Sequence, residues 1–463
     1  MKRLWVAALI AEGVAVLGAQ SAVPVRRNIP YADARPILSK LPVDLLPASL
    51  RSLTSLDLEA AWPEWVSRRD REIRARVARG DDDSIVNFLL FGVTFTKQPR
   101  ITERNMDDGL ADSENIMRAR IADMAAGIES PGSNGRLQFA RAVVQRMGID
   151  PSQRAGRDEV QKYLNGELKR FLAERKAVAE RASSLAAQAQ NDPDTFASEA
   201  ASLFQNRGLS SDTTIAIDFA IEESLKAIKS SRLLAVVPGS VRRVAIVGPG
   251  LDFTDKREGF DFYPPQTIQP FAVLDSLIRL GLAKRDVLKV TTIDLSPRIN
   301  QHLESARARA GEAYVVQLPL ETAKPWNPLL MAYWRHLGET VAEETTAVAS
   351  PPEVEMRAVR MRPSVVLSVT PQDLNIVLQR LAPLAENDQF DLVIATNILI
   401  YYDDFEQALA LANVWKMLRP GGLFVVNSPS RLISPTGYID VHYGQQSSGG
   451  DRVFWYQKSK NRD

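Results

Sequence analysis

Apolar residues fall into two rhythms along the chain. From Arg242 onward they gather in short strand-like runs, at 244–247, 290–294, 365–369, 391–396 and 423–427, separated by stretches of helical spacing. Runs apolar at successive positions, alternating with helices, predict parallel strands buried on both faces. Two further strand-like runs, 438–443 and 452–458, are joined by the Gly- and Ser-rich stretch 445–451 and read as an antiparallel hairpin. This half is therefore expected to be α/β: a doubly wound, mostly parallel sheet with a C-terminal antiparallel hairpin.

Upstream the rhythm is helical. Residues 60–78 read as a charge-laced exposed helix and 86–95 as a buried apolar segment. Asp81-Asp82-Asp83 before Ser84 reads as a helix N-terminal cap, the alternative being a metal loop. Residues 159–187 are rich in Ala, Leu, Glu, Lys and Arg, with charges three and four apart, as on a solvated helix face. Asn191-Asp192-Pro193 ends that run, 193–204 supplies another, and Ser211-Asp212 starts a third that lasts to about Ser231. The expected organisation is a mainly α-helical N-terminal region, divided into a mixed segment (23–110) and a helical accessory domain (111–235), before an α/β domain at 236–463.

Composition removes several alternatives. The chain has no cysteine, which excludes disulfides and thiolate metal sites. It has three histidines, His302, His336 and His442, too few for a multi-histidine metal centre, and His302 and His336 read as surface residues. A net charge of +1 gives no global attraction to nucleic acid or anionic membranes. Beyond the N-terminus no uninterrupted apolar stretch is long enough to span a bilayer. At the N-terminus, Lys2 and Arg3 precede an apolar run, and Ala19-Gln20-Ser21 offers small residues for cleavage. Residues 1–22 thus read as a secretory signal peptide, which implies an exported or periplasmic protein. Glu12 interrupts the apolar run, and the alternative is an amphipathic helix of a cytoplasmic protein.

Three motifs carry the candidate chemistry. In Val244-Ala245-Ile246-Val247-Gly248-Pro249-Gly250 a strand runs straight into a glycine turn, where the missing Cβ lets backbone approach a ligand. A packing turn would look the same. In 290–297 a strand ends in Asp294-Leu295-Ser296-Pro297, a carboxylate where nucleotide-binding sheets hold ribose hydroxyls, or simply a helix cap. The loop 252–267 between them is rich in charge, aromatics and proline, and reads as an insertion over the pocket or as a structural loop. The third motif runs from Phe390 through Asn397-Ile398-Leu399-Ile400-Tyr401-Tyr402 to the turn Arg419-Pro420-Gly421-Gly422 and the strand after it.

This third block closely resembles class I S-adenosylmethionine-dependent methyltransferases, with the nearest likeness to chemotaxis-receptor glutamate methyltransferases and their relatives. The resemblance covers roughly 242–458 and is sharp over 390–427. It implies a Rossmann-like seven-strand fold and S-adenosylmethionine as cofactor. On it, Gly248, Pro249 and Gly250 line the methionine end, Asp294 and Leu295 hold the ribose, and Asp373 and Leu374, after the strand 365–369, sit near the adenine. Asn397 lies beside the cofactor, and Tyr401 beside the transferring methyl. The sequence departs from the pattern at Ile246, where an acid is common, at Asp252, where a third glycine is frequent, and at Thr396, where the chemotaxis enzymes carry arginine.

Methyl transfer from a sulfonium asks the protein chiefly to align the acceptor and exclude water. Aromatic faces steady the cation, and Phe253, Phe262, Tyr263, Tyr401 and Tyr402 are candidates. Trp326, Tyr333 and Trp334 read as a flap packed on the sheet, the alternative being an acceptor pocket. The leading expectation is methyl transfer to a small molecule or protein side chain. The alternative is a non-catalytic binding or scaffold protein that keeps the fold. A nicotinamide-dependent oxidoreductase fits less well, given the Pro-Gly-Gly turn, the terminal hairpin and the missing third glycine.

Overall fold

A computed structural model of the chain describes residues 24–101, 105, 113–188, 207–234, 237–254, 260–321, 326–427, 438–440, 445–446 and 452–459. The expected signal peptide, the run 193–204 and His442 lie outside these residues.

The strands, in chain order, are β1 (Val25–Asn28), β2 (Arg243–Val247), β3 (Lys289–Asp294), β4 (Tyr314–Glu321), β5 (Ala342–Thr345), β6 (Val354–Met361), β7 (Val369–Asp373), β8 (Gln379–Ala382), β9 (Phe390–Ala395), β10 (Leu418–Val426), β11 (Tyr438–Asp440), β12 (Gln445–Gln446) and β13 (Arg452–Lys458). The main sheet runs β11-β13-β10-β9-β2-β3-β7, with β12 paired to β13 off that path. From β7 to β10 every pairing is parallel, whereas β13 runs antiparallel to β10 and to β11.

The two faces of this sheet are two separate cores. Val244 and Ile246 of β2, with Leu392, Ile394, Leu423 and Val425, belong to one. Ala245 and Val247, with Val393, Ala395, Phe424 and Val426, belong to the other. Successive residues of a strand point to opposite faces, so a central strand covered on both sides must be apolar throughout. The first face is covered by the helices Gln269–Arg279, Pro297–Ala308 and Ile215–Ser230 and by the helical N-terminal region. The second is covered by Asp404–Met417 and Tyr31–Lys40.

One helix belongs to both faces. Ser55–Phe91 has 37 residues, about 55 Å at 1.5 Å per residue. Its first half sends Trp62, Trp65, Val66 and Ile73 into the second core, and its last turns send Ile85 to Phe91 into the first. The expected division between an exposed helix at 60–78 and a separate apolar segment at 86–95 is therefore corrected to one continuous element. Asp81, Asp82 and Asp83 lie inside it rather than at a cap or in a metal loop. Each carboxylate meets a donor from another helix: Asp81 meets Arg146 at 3.4 Å, Asp82 the Tyr163 hydroxyl at 2.6 Å, and Asp83 Arg170 at 2.6 Å.

Three further corrections concern elements. Residues 365–368 are helical, within Pro363–Ser368, and the strand starts only at Val369. Pro363 at the first helical turn presets the backbone there, and the helical spacing still buries Val365 and Val366. The third upstream helix begins at Ile215, not at Ser211, because Ser211 spends its carbonyl on Leu251 N at 2.7 Å. The flap at 324–350 holds the helix Pro328–His336, which buries Tyr333 and Trp334, but then continues as β5. Strands β4, β6 and β5 form a small antiparallel sheet of their own. The N-terminal strand β1 pairs with β8, tying the start of the described chain to the α/β half.

Candidate functional site

The site lies where β2, β3 and β9 end. After Val247 the chain turns through Gly248 and Gly250, whose φ angles are +66° and +73°. L-residues disfavour this left-handed region. Space argues the same way: a Cβ on Gly248 would lie 2.1 Å from the Ile398 Cδ1, and one on Gly250 2.6 Å from the Thr213 Cβ. The turn is thus pressed from one side by the segment after β9 and from the other by the segment before Ile215–Ser230.

Asn397 makes the first of these approaches possible. It too is left-handed, at φ 59°, a conformation Asn tolerates better than most residues. Its N–H donates to Asn427 Oδ1 at 2.7 Å, and its own Oδ1 accepts from the Asn427 amide. This brace between the ends of β9 and β10 sends Ile398 over Gly248. The following short 3₁₀ turn, Leu399–Tyr401, aims Tyr401 and Tyr402 inward.

The second approach comes from residues 209–213. Leu209 N donates to Arg76 O at 3.1 Å, and Leu251 N to Ser211 O at 2.7 Å. The segment is thereby fixed between the long helix and the glycine turn. Together with Val77 of that helix it covers a cleft of about 820 Å³, counting its open mouth.

Asp294, the last residue of β3, stands at the cleft wall. Its Oδ1 accepts from Ser296 N at 2.7 Å, which also begins the helix Pro297–Ala308. Asp294 thus bonds the residue that caps this helix and also lines the cleft. Burial pushes its carboxyl up to about 7, while hydrogen bonds from the Ser296 and Leu295 N–H groups and the nearby Arg298 pull the other way. Burial likewise raises the Tyr401 and Tyr402 phenols, so both stay protonated near neutral pH.

Gly248, Gly250, Asp294, Leu295, Leu374, Asn397 and Tyr401 all line this one cleft. Pro249 and Asp373 do not. Asp373 is half exposed and turned toward Arg74 at 2.7 Å and Arg26 at 3.3 Å. Of the candidate aromatics, Tyr402 joins Tyr401 in the cleft, whereas Phe253 faces a neighbouring groove and Tyr263 donates its hydroxyl to Asp252 at 2.8 Å. Phe262 packs against Phe260 and Tyr263.

Sequence reasoning missed Thr213, Gln269, Ser296 and Ile376, which also line the cleft. Gln269 donates to Thr396 Oγ1 at 3.3 Å, yet among the described residues its buried Oε1 has no hydrogen-bond partner, nor does the buried Ser296 Oγ. Ser296 had a local signal, since it directly follows the strand-end motif. Thr213 had none, because its contact with Gly250 exists only once the helical region is folded on the sheet. His302 is corrected from a surface residue to a largely buried one. Its Nε2 meets the Tyr314 hydroxyl at 2.8 Å, and burial lowers it to about 4.

No protein-family model matches the chain, and no curated protein does. Among solved structures, the chain is similar to an N-methyltransferase from Bradyrhizobium japonicum WM9. The identity is 13%, over 52% of this chain and 97% of that one, with a TM-score of 0.26. It is also similar to a magnesium protoporphyrin IX methyltransferase from Synechocystis PCC 6803 with bound S-adenosylmethionine. There the identity is 11%, over 53% of this chain and 81% of that one, with a TM-score of 0.26.

Proposed function

We propose that the chain transfers a methyl group from S-adenosylmethionine to a small-molecule or protein side-chain acceptor. The observation that supports this best is the make-up of the cleft. Two left-handed glycines, a strand-end carboxylate, and an Asn and Tyr after the neighbouring strand converge on one cavity. The unpartnered Gln269 Oε1 and Ser296 Oγ fit a polar ligand there, because buried polar atoms need hydrogen-bond partners.

On this reading Asp294 accepts from the ribose hydroxyls, and Leu374 and Ile376 give the adenine an apolar wall. The glycine turn lets backbone approach the methionine portion, with Gln269 and Thr396 beside it. The cofactor supplies an electrophilic methyl on a sulfonium. Tyr401 and Tyr402, held as neutral phenols, present aromatic faces and hydroxyl donors rather than a base. The cover formed by residues 209–213 keeps bulk water from the reacting atoms.

Calorimetric titration of the full chain with S-adenosylhomocysteine tests the reading. Micromolar binding is expected, and Asp294→Ala is expected to weaken it at least about a hundredfold, the loss of charge-assisted bonds to two hydroxyls. Absence of binding at millimolar ligand would leave the alternative, a binding or scaffold protein with this fold.

A further inference from the structure

A second groove opens beside the cleft and shares Val77 and Leu295 with it. Its wall is built around Arg298. The guanidinium packs against the edge-to-face pair of Phe139 and Phe253, 4.3 and 4.7 Å from their centroids. Its Nη2 donates to Ser211 Oγ and to Ser84 Oγ, the latter at 3.3 Å, while the buried Nε and Nη1 have no acceptor. Among the described residues Asp81 is the carboxylate within ion-pair reach, at 3.8 Å, and it also serves Arg146 at 3.4 Å; Asp212 and Asp294 act on Arg298 from farther off.

The charges around the groove do not balance. Arg74, Arg146, Arg298 and Arg309 line it, against the single carboxylate of Asp81. Arg74 is already held by Asp70 at 2.9 Å and Asp373 at 2.7 Å. His302, the remaining titratable side chain at the wall, is kept neutral by burial. The surplus therefore rests on Arg298 and on the exposed Arg309, whose Nε reaches only the Ser305 carbonyl at 3.4 Å. Burying a guanidinium with unmet donors is costly, and the fork of an arginine matches carboxylate and phosphate oxygens.

We infer that this groove binds the acid group of a small organic anion with an aromatic or apolar body, and that this anion is the methyl acceptor. The last clause rests on the methyltransferase reading. Arg298 and Arg309 supply the charge, and Phe139, Phe253 and Pro265 enclose the body. The acceptor's reacting atom then faces the cleft across Val77 and Leu295. As it bonds to the methyl carbon, the carbon–sulfur bond breaks and its electron pair stays on sulfur. A hydroxyl or amine acceptor releases its proton to water.

The test is calorimetric titration of the full chain with phenylphosphate, benzoate and neutral benzyl alcohol, with and without saturating S-adenosylhomocysteine. Both anions are expected to bind in the presence of S-adenosylhomocysteine, at least about tenfold more tightly than benzyl alcohol. Arg298→Met should weaken them about tenfold or more, a larger loss than it causes in S-adenosylhomocysteine affinity. Arg298→Lys, which keeps the charge and loses the fork, should fall between, and the exposed Arg309→Met gives a variant whose folding is not at stake. Equal affinity for benzyl alcohol, indifference to both arginine substitutions, or mutual exclusion with S-adenosylhomocysteine would each overturn the inference. Arg298-dependent anion binding without any S-adenosylhomocysteine binding would instead sink the methyltransferase reading and leave the anion site standing.

Discussion

Asp218 sits wholly inside the protein, on the helix Ile215–Ser230, one residue from the cleft-lining Ile217. Burial pushes its carboxyl up to about 8, with the Gln269 amide pulling weakly the other way. The folded chain therefore keeps a proton that the unfolded chain releases above its ordinary pKa of about 4. Between these values stability falls as pH rises, by up to about 1.4 kcal/mol per pH unit from this group. Asp218→Asn removes that slope, so the difference in melting temperature between the variant and the parent should grow in the variant's favour from pH 5 to pH 8. A difference constant with pH would refute the assignment. Gly248 gives a second test at this scale. Gly248→Ala must place a methyl against Ile398 at a left-handed backbone position, a strain of roughly 1–2 kcal/mol. S-adenosylhomocysteine affinity should drop at least about tenfold, and Ile398→Ala in the same chain should restore part of it.

Elements are held together by a few buried cations. Arg120 is fully buried and donates to the carbonyls of Leu89 at 2.8 Å, Gly92 at 2.5 Å, and Gln98 and Pro99 at 3.0 Å each. It thereby satisfies the C-terminal end of the long helix and fixes the turn beyond it. Arg120→Met leaves those carbonyls unmet and should cost on the order of 3 kcal/mol in urea unfolding. At this scale the sequence was legible wherever burial alone decided the element. β2, β3 and β9 read correctly because each is a short, mostly apolar run flanked by helical spacing, and a Gly, Asp or Asn at or just after the strand end is a local signal. Residues 365–368 misread because Val-rich runs suit strand and helix alike, and Pro363 tips the balance. The small sheet β4-β6-β5 escaped notice although Val316, Leu318 and Leu320 alternate with less buried neighbours in β4, since the aromatic helix between its strands dominated the pattern. The cover at 209–213 had no sequence signature at all, for its hydrogen bonds reach across to Arg76 and Leu251.

The whole molecule is bound by the same kind of long-range contact. Trp62 and Trp65 stack with centroids 5.1 Å apart, and Trp65 meets Phe405 of the α/β half edge-on at 5.5 Å. Trp62 Nε1 also donates to Ile29 O at 2.9 Å, next to the strand that pairs with β8. Residues 236–463 expressed alone would leave Phe405, β8 and the cleft uncovered. That fragment is expected to aggregate or to lack a cooperative melt, whereas the full chain should unfold with coincident fluorescence and circular-dichroism transitions. An independently folded fragment would disprove this mutual dependence.

The segment 209–213 roofs the cleft while belonging to the helical region, so a ligand beneath it touches parts of the chain that are far apart in sequence. A bound ligand would then join the two halves, and its presence should register far from the cleft. Proteolytic lifetime of the helices before residue 230 should lengthen with S-adenosylhomocysteine concentration, in proportion to one plus the ratio of free ligand to its dissociation constant. The protein would in that sense wear its cofactor status on its outside, where a protease, rather than a spectrometer, can read it.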